Sequence, residues 1–90
     1  MEIVWSREAL LRAEEIGDFI AKDSPANAAA FIDRLIASVD RLNKFPHSGS
    51  VVPENLAFRQ VVFEGYRIIY RITADNVEIV TVISPGLLLK

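Results

Sequence analysis

The 90-residue chain contains no cysteine, which removes disulfides, zinc–thiolate sites and thiol nucleophiles from consideration. A single imidazole, His47, rules out a histidine metal cluster. No glycine-rich phosphate loop, paired carboxylate set or nucleophile triad is found, so no cofactor and no metal are expected. Long uninterrupted apolar runs are missing too: 51% of the residues are hydrophobic, but 24% are charged and break every stretch that could span a bilayer. The start, MEIVWSREAL, has no basic segment leading into an apolar one, which argues against a secretory signal. A cytoplasmic protein with no membrane association is expected.

Basic residues are not in excess. The formal net charge is −2 and the sequence pI near 5.3, which disfavours a protein whose main task is to neutralise phosphates. The total conceals an asymmetry. Residues 1–40 carry eight acids against four bases, and residues 41–90 carry six bases against four acids. An anionic partner would meet the C-terminal half.

What is present is enough apolar sequence for one modest core, so residues 1–90 read as a single domain. Met1 to Trp5 is rich in β-formers, and Ser6 is a natural N-cap for a helix over Arg7 to Lys22. Leu10, Ala13, Ile16, Gly17 and Ile20 fall on one face of that helix, and Arg12, Glu15 and Asp18 lie away from it. Gly17 is placed for close approach of a neighbour. Asp23-Ser24-Pro25 stops this helix and starts the next, with Ser24 as cap and Pro25 in the first turn. Ala28, Phe31, Ile32, Leu35, Ile36, Val39 and Leu42 then repeat at helical spacing to about Asn43. Phe45-Pro46 ends that run, and His47 to Ala57 reads as a loop. Trp5 is expected to anchor the first strand to the helical hairpin.

Phe58 to Ile83 reads as a three-stranded meander. Glu64-Gly65 forms one turn, so Phe63 opposes Tyr66, Val61 opposes Ile68 and Arg59 opposes Tyr70. Thr73 to Asn76 forms the other, placing Tyr70 opposite Ile79 and Arg71 opposite Glu78. Alternation then puts Val61, Phe63, Tyr66, Ile68, Tyr70, Ile72, Val77, Ile79 and Ile83 on a core face. Phe58, Gln60, Val62, Arg67, Ile69, Arg71, Glu78, Val80 and Val82 form a mixed outer face, the candidate site. The fold class is α+β, with the order β-α-α-β-β-β.

Candidate chemistry rests on few residues. The Arg67 guanidinium could hold a phosphate or carboxylate through paired hydrogen bonds, although a solvated arginine is the commoner outcome on such a face. Arg71 is expected to pair with Glu78 across the strands. The stem of Arg59 would pack beside Tyr70 while its head reaches water. His47 is the only side chain with an unperturbed pKa near neutrality, but its loop supplies no partner. Tyr66 and Tyr70 read as core residues with hydroxyls at the edge. The apolar tail Leu87, Leu88 and Leu89 could pack on the core, join a patch for a partner or contact a second copy.

Four segments in order carry a wider resemblance: W-S-x-x-A from Trp5, D-S-P-x-x-A from Asp23, F-P-x-S-G from Phe45 with P-E following, and G-Y-R-I-I-Y-R from Gly65 to Arg71. Together they resemble the RelE/ParE superfamily of toxins from type II toxin–antitoxin systems, the plasmid-stabilisation proteins. That resemblance implies a helical hairpin against a small antiparallel sheet, and a cognate antitoxin as partner. The RelE branch cleaves mRNA on the ribosome, and the ParE branch inhibits DNA gyrase without acting as a nuclease. For a nuclease, Arg67 and then Arg59 match the basic residues of the sheet. Ser84-Pro85-Gly86-Leu87-Leu88-Leu89-Lys90 lacks the arginine and tyrosine that such toxins carry after the last strand. The sequence is closer to ParE, with Arg67, Arg71 and Leu87 to Leu89 as candidates for target or antitoxin binding. A ribosome-dependent endonuclease, and an inactive relative that keeps only antitoxin binding, are the alternatives; a homodimer is open.

Overall fold

Ser6 joins three elements at once. Its Oγ accepts from the Ala9 amide at 3.0 Å and donates to the Val80 carbonyl at 2.7 Å, and its own amide donates to the Ile79 carbonyl at 2.9 Å. The side chain that caps the first helix therefore also fixes that helix to the last strand.

The computed structural model describes residues 1–85. Strand β1 (Glu2–Trp5) leads into α1 (Arg7–Ala21) and α2 (Pro25–Asp40), followed by short 3₁₀ turns at Arg41–Asn43 and Pro46–Ser48. Strands β2 (Ser50–Val52), β3 (Asn55–Phe63), β4 (Tyr66–Ile72) and β5 (Asn76–Ile83) complete the chain order. The five strands form one sheet in the order β1-β5-β4-β3-β2, antiparallel except that β1 runs parallel to β5. This is the expected α+β architecture, a helical hairpin packed on a sheet.

Both helix starts follow the sequence. Ser24 Oγ accepts from the Asn27 amide at 3.2 Å, with Pro25 in the first turn. The last residues read as α2 continue as the 3₁₀ turn Arg41–Asn43, which still buries Leu42. The core lies between the hairpin and the sheet: Ala9, Ile16, Phe31, Leu35, Val39 and Leu42 meet Val61, Ile68, Tyr70, Val77, Ile79 and Val82. Phe31 sets the aromatic contacts, with Phe63 at 5.7 Å and Tyr66 edge-on at 5.3 Å between ring centroids.

Four expectations are corrected. Residues 47–57 are not all loop, because Ser50–Val52 pairs with β3 and β3 itself begins at Asn55. A three-residue strand is too short to display a period, and its register against β3 shifts between Val51 and Val52. The second correction concerns the end of β5. Ile69 lies opposite Thr81 but Tyr70 lies opposite Ile79, so Val80 is an extra residue and alternation reverses beyond it. Val82 therefore points into the core opposite Ile68, and Ile83 sits opposite Arg67 on the outer face. Third, Leu10 is 55% exposed rather than buried, and Ala9 takes the core position. Fourth, Tyr70 has no edge hydroxyl: the whole residue is buried, and its Oη accepts from the Gly49 amide at 2.9 Å and donates to the Pro46 carbonyl at 2.7 Å. Burial pushes its phenol above the ordinary value, with partial relief from the Gly49 N–H.

Candidate functional site

The outer face of the sheet holds a shallow depression of about 220 Å³ lined by Val52, Glu54, Asn55, Phe58, Arg67, Ile69, Val80, Thr81 and Ile83. It owes its shape to the two irregular ladders. The β2–β3 turn brings Glu54 beside Asn55 at the start of β3, and the Val80 bulge turns Ile83 onto this face. Val52 and Ile69 are buried in it, so this face carries a small apolar cluster of its own.

Arg67 is the charged floor of the depression, its side chain only 14% exposed. Its Nη1 and Nη2 donate to the two carboxylate oxygens of Glu54 at 2.9 and 3.1 Å, and its Nε donates to Gln60 Oε1 at 2.6 Å. This is the paired geometry in which a guanidinium holds a planar oxyanion. The Glu54 carboxyl is held below its ordinary range by the hydrogen bonds from Arg67 and, secondarily, by its own backbone amide. The sequence singled out Arg67 and placed Gln60 on the same outer face one strand away, but it did not point to Glu54. Glu54 lies in a segment with no period from which to infer its position.

The other described candidates do not converge on Arg67. Arg59 stands opposite Tyr70, on the alternate face from Arg67, and its Nη1 donates to the Gly49 carbonyl at 2.8 Å and the His47 carbonyl at 3.4 Å. Its head thus braces the loop rather than reaching open water. Arg71 pairs with Glu78 at 2.6 Å, as the cross-strand register predicts. His47 is exposed on the 3₁₀ turn, where its backbone carbonyl makes the contact with Arg59. Leu87, Leu88 and Leu89 lie outside the described residues.

Among the described residues two further hollows lie on the helical side, one apolar and one mixed. Trp5, Leu10, Ala13, Ile32, Leu35 and Ile36, with Glu14 as the one charged member among the described residues, line a groove of about 460 Å³ along the hairpin. Trp5 stands at its β1 end, half-buried, in the anchoring position expected of it. A second cleft of about 380 Å³ is bounded by Arg12, Glu15, Ile16, Phe19, Tyr66, Val82, Ser84 and Pro85. Phe19 is 69% exposed at its rim. Neither was visible in the sequence, where Leu10 and Ile36 were indistinguishable from core positions.

Comparison with known proteins agrees with this architecture. The family model described as the ParE toxin of the type II toxin–antitoxin system parDE matches residues 3–85. A Sinorhizobium fredii (strain NBRC 101917 / NGR234) protein, Y4kP, classed as a candidate toxin, is 42% identical over 83 residues, 89% of this chain and 83% of that protein. A solved structure described as a chromosomal ParDE toxin–antitoxin system from P. aeruginosa has the same fold, with a TM-score of 0.82 at 19% identity over 93% of this chain and 95% of that one. The chain belongs to the ParE toxin family of type II toxin–antitoxin systems.

Proposed function

We propose that the chain acts in the ParE manner, by binding a target protein, DNA gyrase, and that a cognate antitoxin neutralises it. In this reading residues 1–90 act as one toxin domain in the cytoplasm without a cofactor. The observation that carries the choice of protein binding over RNA cleavage is the engagement of the sheet arginines. Arg59 is turned to loop carbonyls, Arg67 to Glu54 and Gln60, and Arg71 to Glu78. Phosphodiester cleavage asks for cations and a proton-transfer group converging on one phosphate, and Arg59 and Arg67 stand on opposite faces of the sheet.

Antitoxin binding is assigned to the hairpin groove. An amphipathic segment, disordered when free, would lay its apolar side chains between Leu10 and Ile36 and order as it binds. Tightly controlled induction in a bacterial host tests the reading: viability should fall, and co-expression of the antitoxin should restore it. Soluble protein with unaffected growth would instead support an inactive relative that keeps only antitoxin binding. Discrete cuts in message incubated with ribosomes and purified protein would support the endonuclease.

A further inference from the structure

We propose that the depression around Arg67 is a receptor site for an acidic side chain of a protein partner, and that Glu54 is an internal stand-in which that side chain displaces. The site is distinct from the hairpin groove, lies on the opposite side of the sheet, and stands independently of the toxin reading.

The geometry supplies both the ligand's shape and the means of exchange. The Glu54 carboxylate already shows what the site takes: a planar pair of oxygens in register with Nη1 and Nη2, at 2.9 and 3.1 Å. Gln60 holds Nε at 2.6 Å, so the fork stays aimed outward whichever carboxylate it meets. The two partners differ sharply in exposure. The Arg67 side chain is 14% exposed and Glu54 65% exposed. Glu54 sits on the short turn between β2 and β3 and is already largely hydrated, so the cost of parting the pair falls on Arg67 rather than on Glu54. Arg67 cannot follow it into water. Removal of Glu54 leaves a largely buried cation that is poorly satisfied, which favours exchange of one carboxylate for another over simple opening.

The walls define the rest of the ligand. Phe58, Ile69, Val80 and Ile83 line the same depression as Arg67 with apolar surface, so the matching segment carries Asp or Glu next to an apolar side chain. A nucleic-acid backbone fits less well. Glu54 and Glu78 stand on the same outer face, and among the described residues the second arginine there, Arg71, is paired with Glu78. Among the described residues this face does not offer several cations along a track, which phosphate binding would use.

The experiment is an NMR titration of the full chain, following the Arg67 Nε–Hε resonance. The probes are acetyl-Glu-Leu-Phe-amide, acetyl-Gln-Leu-Phe-amide and inorganic phosphate, applied to the parent protein, Glu54→Ala and Arg67→Lys. The expected result is that Glu54→Ala binds the glutamate peptide at least tenfold tighter than the parent does, that the glutamine peptide leaves Arg67 unmoved, and that Arg67→Lys loses the binding. Equal affinity in parent and Glu54→Ala would overturn the displacement mechanism, and an equal response to the glutamine peptide would overturn carboxylate recognition. Phosphate binding tighter than the glutamate peptide would overturn the protein partner in favour of a nucleic-acid one. If Arg67→Lys does not fold, the Glu54→Ala and glutamine-peptide comparisons still decide. None of these arms measures toxicity, so a failure here leaves the toxin reading standing.

Discussion

Replacing Gly49 with alanine should be among the most damaging single-methyl changes available in this chain. Gly49 has φ −77° and ψ 157°, a backbone conformation that alanine adopts freely, so any penalty is steric. A Cβ there would stand 2.5 Å from Tyr70 Oη, 2.7 Å from Tyr70 Cε1 and 2.6 Å from the Gln60 carbonyl oxygen. None of these can yield cheaply. Tyr70 is fully buried, and the Gln60 carbonyl belongs to a strand paired on both sides. The loop must therefore move outward, lengthening the Gly49 and Pro46 hydrogen bonds to the tyrosine and the Arg59 bond to the Gly49 carbonyl. Overpacking of this kind costs about 1–3 kcal/mol, and a buried polar group left without its partner about 1–3 kcal/mol. With some overlap between the two, about 3 kcal/mol is expected, a fall in Tm of about 12–24 °C for a chain of this size. Urea unfolding is the assay: the midpoint should drop with the slope unchanged. Tyr70→Phe alone should cost about 1–2 kcal/mol by orphaning the Gly49 amide and Pro46 carbonyl. The double variant should be less damaged than the sum, because the closest of the three clashes has gone. A Gly49→Ala protein within about 0.5 kcal/mol of the parent, the range of an innocuous surface change, would show that the loop yields freely and that the contact with Tyr70 is not tight.

Gly17→Ala should do the opposite. The added Cβ would lie 3.4 Å from Ile32 Cδ1, at the edge of ordinary contact, so the helix gains about 0.5–1 kcal/mol in the same urea assay. Gly65→Ala should cost about 1–2 kcal/mol, since φ of +87° in the β3–β4 turn is strained for any residue with a Cβ. Leu10→Glu should change stability by about 1 kcal/mol or less, because the side chain is already half in water. The same change should weaken antitoxin binding at least tenfold by calorimetry. The Glu54 and Glu64 carboxyls are both lowered, chiefly by hydrogen bonds from Arg67 and Arg34. Groups lowered in the fold stabilise above their unfolded pKa of about 4.3 and lose that contribution as pH falls through the folded value. The unfolding midpoint should therefore hold from neutrality to about pH 5 and decline below it, less steeply in Glu64→Gln.

Much of the fold was legible because local signals agreed with the tertiary answer. Ser6 and Ser24 cap the helices they were expected to cap, and Glu64-Gly65 makes the hairpin turn with positive φ at both residues. That turn alone set the register that places Arg59 opposite Tyr70 and Val61 opposite Ile68. What escaped was decided by contacts distant in sequence. The Val80 bulge has no signature within β5 itself; it is fixed in part by Ser6, 74 residues away, whose hydroxyl donates to the Val80 carbonyl. Strand β2 was hidden because it depends on a loop held by Tyr70 and Arg59, both from the meander. In the candidate site the same division applies. Arg67 could be named from its strand, whereas its partner Glu54 is brought to it by a turn and an irregular register. The apolar groove was invisible for a different reason: periodicity identifies an apolar helix face but not how much of it a five-stranded sheet can cover.

The most direct test of the functional account is a supercoiling assay with purified DNA gyrase and relaxed plasmid, read with and without this protein at matched concentrations. Supercoiling should be inhibited in proportion to added protein, and prior mixing with the cognate antitoxin should restore it. Undiminished supercoiling by gyrase in the presence of folded protein that nevertheless kills the host would contradict gyrase as the target.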